Sequence, residues 1–406
     1  MIAAHITNDH HYYPKFDSNL NYLTFKFRLI FLFSILFIQQ SGHSEIKLVI
    51  QGEGELSFLN SQFYRDPSEV IINGVSQPSC NKSCQFASGL SNVTIKFDQP
   101  LESCANMFDW LHNIVELDLS NFDASKVTNM YRMFSDCINV EKIILGNINT
   151  SLVQNMEELF NACTKLTYID NLNFDVSSVK TMRGMFRSCE SFLTLNAEFN
   201  PQNVEDMYDL FARCSKMISI KLPNFKITRA TTTQGMFYQD YELRYVDLQN
   251  FEVPSITTIR STFRFCSKIM FINLNSLKIK SNTNIWGLFD STFSGLKICV
   301  KDQTTINVLN QYRSKIDCDN ICFQENIKID LKENKCVKEC EGNDYIFEND
   351  HFCHRCPENT YPKEGEYLCL GKKPEGYYFD ESLTYKSVMI LAIAVRKEVM
   401  KLIIIA

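Results

Sequence analysis

A phenylalanine that returns at nearly constant spacing constrains the fold of this chain more than any other feature. Six of the seven intervals are 26 residues long, and the remaining one is 25 residues long. The column consists of Phe108, Phe134, Phe160, Phe186, Phe211, Phe237, Phe263 and Phe289. Chance does not produce this regularity, and a fixed period of this length is typical of repeat proteins. We therefore predict a solenoid of about eight stacked coils.

Two shorter periods alternate inside each copy of the repeat. Around residues 115–119 the apolar side chains alternate, as in a strand with one buried face. Val127, Met130 and Phe134 then follow at the spacing of one helical stripe. A polar segment, 121–125, separates the two and suits a turn that caps a helix. These periods predict an α/β solenoid in which every coil contains a strand, a turn and a helix.

Two further columns carry polar atoms or sulfur. Asparagines at the bend after the strand would satisfy backbone groups that lack a regular partner there. This asparagine ladder contains Asn121, Asn147, Asn173, Asn224 and Asn250. The second column stands three residues after the phenylalanines and contains Cys137, Cys163, Cys189, Cys214 and Cys266. We predict that these thiols are small core residues; reactive thiols, metal ligands and disulfides between adjacent coils are the alternatives.

The first 44 residues have the features of a secretory signal peptide with an N-terminal extension. Lys26 and Arg28 precede an apolar run over 29–38, and Gly42 and Ser44 supply the small residues of a cleavage site. The run is shorter than the roughly 20 apolar residues that a membrane-spanning helix needs. An uncleaved signal anchor is the alternative. Either interpretation predicts entry into the secretory pathway and an extracellular or cell-surface location.

The remaining chain divides around the repeats. Residues 45–100 alternate in polarity and predict a β-rich N-terminal cap, because a terminal coil would otherwise expose its core. The predicted segments are the signal peptide and its extension (1–44), the cap (45–100), the repeats (101–298), a C-terminal cap (299–317), a cysteine-rich module (318–386) and an irregular tail (387–406). The tail leaves open a truncated end and a missing membrane anchor, the one route to membrane association that we expect.

Sixteen cysteines in a secretory chain fit an oxidising compartment. We predict disulfides among the eight that follow the repeats, namely Cys299, Cys318, Cys322, Cys336, Cys340, Cys353, Cys356 and Cys369. The alternative is a zinc site at Cys353-His354-Arg355-Cys356, but no second CxxC motif follows at the required spacing. Candidate N-glycosylation sites are Asn81, Asn92 and Asn149.

The repeat resembles that of a known family of surface proteins. One copy reads Leu119-Ser120-Asn121-Phe122-Asp123, then Val127-Thr128-Asn129-Met130, then Met133-Phe134 and Cys137. It is similar to the 26-residue repeat, of the DUF285 type, in BspA-like leucine-rich-repeat surface proteins. The similarity covers about residues 101–298, and later copies depart from it, with Thr233 in place of Met and Asp240 in place of Cys. The resemblance implies a right-handed β/α, leucine-rich-repeat-like superhelix and a role in surface adhesion or recognition without enzymatic activity.

Composition narrows the classes of function. The net charge of −6 argues against a nucleic-acid partner, since phosphate binding needs clustered Lys and Arg. With only 14 glycines, phosphate-cradling glycine loops are not expected. After cleavage near Ser44, only His112, His351 and His354 remain, and none lies in a Ser or Cys nucleophile motif. We therefore predict no enzymatic activity, no cofactor and no metal.

The side chains that flank the buried strand column are the candidate binding face. Tyr168, Tyr245 and Phe271 would stand outward there, and exposed aromatic residues beside carboxylates suit a protein or glycan ligand. The alternative is a merely solvated face. We predict a non-catalytic, secreted or surface protein for adhesion or macromolecular recognition, with an extracellular protein or glycan as partner. A structural coat or spacer that self-associates is the alternative function.

Overall fold

The computed structural model describes residues 44–319, except 171, 197–199, 223–224 and 249, and short segments between 328 and 387. The predicted signal peptide up to residue 43, most of the cysteine-rich module and the end of the tail lie outside the described residues.

An antiparallel sheet precedes the repeats. Strand β1 pairs with β6 along its whole length, and the sheet continues from β6 through β3 to β4, while β2 and β5 form a separate pair. On its other edge β1 pairs antiparallel with β7 (Ile114–Asp118), the first strand of the repeats, so that Leu48 lies opposite Leu117. These strands are β1 Ser44–Gln51, β2 Gly54–Ser57, β3 Glu69–Ile72, β4 Val75–Ser76, β5 Ser83–Phe86 and β6 Leu90–Phe97.

One short strand per copy stacks in parallel through the repeats. Strands β7 to β9 pair in order, as do β10 to β14, and equivalent residues face each other, as Leu117 faces Ile143. The strands are β7 Ile114–Asp118, β8 Lys142–Ile144, β9 Tyr168–Asp170, β10 Thr194–Asn196, β11 Ser219–Lys221, β12 Tyr245–Asp247, β13 Phe271–Asn273 and β14 Lys297–Cys299. The molecule is a β-solenoid of about 7 turns, and the prediction of a solenoid is confirmed.

The second half of each copy is not helical in the described residues, so the predicted α/β coil is wrong. Backbone N–H groups there alternate between two kinds of partner. The N–H of Asn106 donates to the carbonyl oxygen of Tyr131 in the next coil (2.8 Å), whereas that of Met107 donates to Cys104 in its own coil (3.1 Å). The segment is therefore a pair of consecutive turns that also bonds to the neighbouring coils.

Left-handed backbone at two positions of each copy excludes the helix. All these residues have φ between 53° and 68°, whereas an α-helix needs φ near −63° throughout. The first column contains Asn106, Arg132, Glu158, Gly184, Asp209, Gly235, Ser261 and Gly287. The second contains Trp110, Asp136, Ala162, Ser188, Arg213, Gln239, Phe265 and Ser291.

A ladder of short polar side chains fixes the start of these turns. The side-chain oxygen of Asn129 accepts the N–H of Tyr131 (2.9 Å), and isolated parallel bridges join its column from coil to coil. Each member in turn accepts the N–H two residues further on: Ser103, Asn129, Asn155, Thr181, Asp206, Thr232, Thr258 and Asn284. This ladder lies eight residues after the predicted asparagine ladder and satisfies backbone donors by the mechanism expected there.

The phenylalanine column forms the centre of the core. Seven successive pairs of rings from Phe108 to Phe289 are stacked, with centroids 5.3–5.7 Å apart and interplanar angles of 4–19°. At the far end Tyr312 meets Phe289 edge-on at 5.0 Å. Such contacts contribute beyond the area that they bury, so each ring stabilises both of its neighbours.

The cysteine column lies beside these rings and is fully buried. Each thiol donates to the carbonyl oxygen of the phenylalanine in the preceding coil, as Cys137 does to Phe108 (3.0 Å) and Cys163 does to Phe134 (3.1 Å). Burial raises the pKa of all these thiols, so they are protonated and unreactive at neutral pH. They are core residues, and none is in a disulfide between coils.

Two short helices cover the last coil. Helix α1, Gln303–Val308, is capped by Asp302, whose carboxylate accepts the N–H of Thr305 (2.8 Å). A 3-10 helix, Asn310–Lys315, follows, and Ile316 then bridges to Ile298 of the final strand. The disulfide between Cys299 and Cys318 closes this segment.

Short strands follow in the cysteine-rich region. Strands β15 to β18 form one sheet, and β19 with β20 and β21 with β22 form antiparallel pairs. They are β15 Lys328–Asp330, β16 Lys335–Val337, β17 Tyr345–Ile346, β18 Phe352–His354, β19 Tyr361–Pro362, β20 Cys369–Leu370, β21 Tyr377–Phe379 and β22 Tyr385–Ser387.

Thr233 is a defect in the core. This residue replaces the methionine of earlier copies, is fully buried, and its hydroxyl has no hydrogen-bond partner. A cavity of about 10 Å³ lies beside it, lined by apolar side chains that include Leu248 and Phe251. Thr262 is buried nearby, but its hydroxyl has two carbonyl oxygens within hydrogen-bond distance, those of Ile259 (2.8 Å) and Thr233 (3.0 Å), and so has an acceptor for its proton.

These two threonines predict opposite effects of the same substitution. Thr233→Val removes an unpaired hydroxyl at constant volume, so the free energy of unfolding rises by about 1 kcal/mol. Thr262→Val removes a paired hydroxyl and lowers the free energy of unfolding by about 1 kcal/mol. Urea denaturation of both variants measures the changes. A loss of stability in Thr233→Val would contradict the assignment of an unpaired hydroxyl.

Candidate binding surface

Two of the three aromatic side chains predicted for the binding face on the strands are buried. Tyr245 is 5% exposed and Phe271 is 7% exposed, which corrects the prediction that both face solvent. Tyr168 begins strand β9, but its side chain lies outside the described residues. Period-two alternation identified the buried column correctly, but it does not establish that the opposite side of a strand is open to solvent.

The structure describes all three candidate glycosylation sites and some of the cysteines that were predicted to form disulfides. Asn81, Asn92 and Asn149 all have exposed side chains. Cys299 pairs with Cys318, and a further disulfide that was not predicted joins Cys80 to Cys84. Strands β16, β18 and β20 contain Cys336, Cys353 and Cys369, whose pairing the structure does not describe. The remaining predicted disulfide cysteines lie outside the described residues: Cys322, Cys340 and Cys356.

The turns of successive copies form a second surface, which we call the turn face. It consists of the solvent-accessible side chains of segments 105–110, 131–136, 157–162, 183–188, 208–213, 234–239, 260–265 and 286–291. Backbone bonds to both neighbouring coils hold each inner segment, and the last segment, 286–291, is bonded to the coil before it. Its side chains are therefore presented at fixed intervals on a rigid support, as a binding surface requires.

Carboxylates neutralise the arginines in the first half of the turn face. Arg132 lies 3.3 Å from Asp109, 3.1 Å from Asp136 and 3.6 Å from Glu158. In later copies Arg183 contacts Glu157 and Asp206, and Arg187 contacts Asp209.

Burial and charge act in opposite directions on these acids. Burial raises the pKa of Asp109, and the guanidinium of Arg132 offsets part of that shift. Burial likewise raises the pKa of Asp209, with Arg187 acting against it. The arginines of this half are therefore committed to neighbouring carboxylates, and their charge offsets part of the effect of burial on Asp109 and Asp209.

Aromatic rings replace carboxylates in the last copies. The guanidinium carbons of Arg260 and Arg264 lie 4.3 and 4.9 Å from the ring centroid of Trp286, which is 52% exposed. Arg264 also lies 4.9 Å from the Phe265 ring, whose edge meets Tyr238 at 5.7 Å. Neither arginine makes an ion pair with a described residue, and the Nε atom of Arg264 is buried without an acceptor. This part of the surface therefore has hydrogen-bond donors and positive charge to offer a ligand.

Sequence reasoning missed Arg260, Arg264 and Trp286. A signal was present, because arginine and aromatic residues occupy equivalent positions two residues after the polar ladder in successive copies, as Arg183 and Tyr208 do. The predicted helix places these residues on its solvated outer side and gives them no fixed neighbours, so they are not part of the predicted binding face.

Other kinds of site are not found in the part of the chain that the structure describes. No group of three or more His, Cys, Asp or Glu side chains there is arranged to hold a metal ion. Among the same residues, no helix combines the length and apolarity that crossing a bilayer requires.

Known proteins give one match, at the level of a family. The model of the family described as "Mycoplasma protein of unknown function, DUF285" matches residues 102–222 and 205–311. These overlapping matches include all the phenylalanine rings of the stack and together cover just over half of the 406 residues. No curated protein and no solved structure matches the chain. The chain therefore belongs to the DUF285 family of proteins of unknown function.

Proposed function

We propose that this protein is a non-catalytic recognition protein of the cell surface, and that within its family it belongs with the BspA-like leucine-rich-repeat surface proteins. The observation that carries the proposal is the exposed Trp286 with Arg260 and Arg264 around it on a rigid repeat surface. Trp, Tyr and Arg are the residues most enriched where proteins bind one another. A solenoid offers such residues over a long surface without requiring loops to order on binding.

Features outside the turn face support an extracellular location. The disulfides Cys80–Cys84 and Cys299–Cys318 close short segments at the two ends of the solenoid, and structural disulfides persist in oxidising compartments. The sequons at Asn81, Asn92 and Asn149 are exposed, as an N-glycosylation site must be. Together with the secretory features of the first 44 residues, they favour display outside the cell, with a protein or glycan of the surroundings as partner.

Protease treatment of intact cells tests the location. An epitope inserted in the exposed turn 87–89 should be detected on unpermeabilised cells and lost when a membrane-impermeant protease is added. A cytosolic protein carrying the same epitope should survive the treatment. An epitope that is protected until the cells are lysed would overturn the proposed location, and with it the role in recognition outside the cell.

The alternative of a structural coat predicts different behaviour of the purified chain. A coat must self-associate, so sedimentation at increasing concentration should show growing assemblies. A recognition protein of the kind proposed should instead sediment at a mass that does not change with concentration. The covered ends of the sheet favour the second result, because β1 shields the first coil and the helices after β14 shield the last.

A further inference from the structure

The last copies of the turn face carry more positive than negative charge, and their arginines form no ion pairs with the described residues. Segments 234–239, 260–265 and 286–291 contain two arginines and one carboxylate, that of Asp290. Asp290 follows Arg264 by one coil in the same column and makes no ion pair with it. In the first half, by contrast, Arg132 alone contacts three carboxylates. The same scaffold therefore neutralises its arginines in the first copies and leaves Arg260 and Arg264 without an ion pair to the described residues in the last copies.

The two available arginines are held in place by aromatic contacts. Arg260 and Arg264 both lie over the ring of Trp286, and Arg264 also lies over Phe265. A guanidinium on an aromatic ring loses part of its side-chain freedom before any ligand arrives and keeps its N–H groups free to donate.

We propose that this patch, Arg260, Arg264, Phe265 and Trp286, binds an acidic segment of a partner protein, with Asp or Glu carboxylates accepting from the two guanidinium groups. The planar donor fork of arginine matches a carboxylate in two parallel hydrogen bonds. The inference rests on the proposed role in recognition and adds to it the location of the contact and the chemistry of the partner.

A sulfated glycan has related charge but fits the patch less well. Sugars bind tryptophan by stacking on the face of the ring, and the guanidinium groups of Arg260 and Arg264 lie over the ring of Trp286. The face of the ring that these guanidinium groups cover is therefore closed to a stacked sugar. The salt dependence of binding should be moderate, because two charges are involved.

The test uses the full-length protein and a fluorescently labelled 20-residue polyglutamate peptide as probe. Fluorescence anisotropy at low ionic strength should show binding to the wild type, weakened about tenfold by Arg260→Ala and about a hundredfold by the double variant with Arg264→Ala. Arg183→Ala is the matched control, because Arg183 stacks on Tyr208 at 4.1 Å but already contacts Glu157 and Asp206. This control should bind as the wild type does, and all variants should keep the wild-type unfolding temperature.

Several outcomes would overturn the inference. These are no binding of the wild type, an equal loss in Arg183→Ala, unchanged binding in the double variant, and tighter binding of a sulfated heparin fragment than of polyglutamate. The location experiment separates this inference from the proposed function. If the epitope is external but the double variant binds polyglutamate normally, the acidic-partner inference fails and the surface role stands.

Discussion

Replacing Phe186 with alanine should lower the free energy of unfolding by about 3–5 kcal/mol, the usual loss for a buried aromatic side chain. Phe186 is 1% exposed and stacks on Phe160 at 5.3 Å and on Phe211 at 5.5 Å. The substitution therefore removes two ring contacts at the middle of the column and leaves a cavity that the stacked backbone cannot close. Stability of a solenoid is a sum of coils and of contacts between neighbours, so the damage should spread to the adjacent coils.

Hydrogen exchange and urea denaturation together measure this effect. Amide protection should fall most in the coils of Phe160 and Phe211, and less in the coils further away. Lys180→Ala is the control in the same coil, because the side chain of Lys180 is exposed, and its effect should stay within about 0.5 kcal/mol. Equal effects of the two substitutions would refute the assignment of the phenylalanine column to the core.

A second large effect is expected at Asp240, the carboxylic acid in the cysteine column. It is completely buried, one of its oxygens accepts the N–H of Cys214 (2.8 Å), and the other oxygen has no partner. Each neighbouring cysteine donates to the phenylalanine carbonyl of the preceding coil, as Cys266 does to Phe237 (3.0 Å). Burial raises the pKa of Asp240 well above its usual value, and the hydrogen bond from Cys214 offsets part of that shift.

The wild type should therefore lose stability as the pH rises. A folded-state pKa above the unfolded value means that the folded protein holds a proton that the unfolded chain releases above about pH 4. The free energy of unfolding should decrease above that pH by up to about 1.4 kcal/mol per pH unit, until the folded-state pKa of Asp240 is passed. Asp240→Asn keeps the acceptor for Cys214 and cannot ionise, so its advantage over the wild type should grow as the pH rises above about 4, until the folded-state pKa of Asp240 is passed.

Comparison of denaturation curves at several pH values isolates this contribution, since all other titrating groups are shared by the two proteins. Asp240→Cys restores the column and should remove the same part of the pH dependence. Parallel stability curves for the wild type and both variants would show that Asp240 is not held in the neutral form.

The sequence predicts much of this fold, and particular columns show why. The phenylalanine spacing predicts a solenoid because a period shared by buried residues needs identical coils in contact, as the rings of Phe134 and Phe160 show. The alternation around Leu117 predicts the strand for the same reason. The spacing of hydrophobic residues indicates which residues share a core, and this is sufficient to predict a solenoid with one strand in each coil.

The turns were not predictable from that period. Val127, Met130 and Phe134 have helical spacing, but two consecutive turns also place these three positions on the buried side of the coil. The spacing therefore does not distinguish a helix from two turns. The decisive feature is left-handed backbone, which glycine usually signals. Here glycine occupies three of sixteen such positions, and residues as large as Trp110 and Phe265 occupy others. Bonds between coils impose this conformation, so its cause is tertiary and cannot be inferred from local residue preferences.

The candidate site was harder still, because exposure depends on everything that packs around a residue. Tyr245 and Phe271 alternate correctly with the buried column, but both are buried. Arg260 and Trp286 meet only because equivalent positions 26 residues apart become neighbours when the coils stack. When the copies of a repeat are aligned by their core residues, surface residues at equivalent positions of adjacent copies can be recognised as neighbours.

The interchangeable backbone bonds between coils have a consequence for how proteins of this kind change length. Thr181 bridges to Asp206 as regularly as Asn155 bridges to Thr181, although that copy is one residue shorter. Each copy presents the same backbone donors and acceptors to the coil before it and to the coil after it. When a whole copy is inserted or deleted, the coils that become neighbours can therefore form the same hydrogen bonds. The distance between the two capped ends can thus change in equal increments during evolution, while the contacts within every remaining coil stay the same.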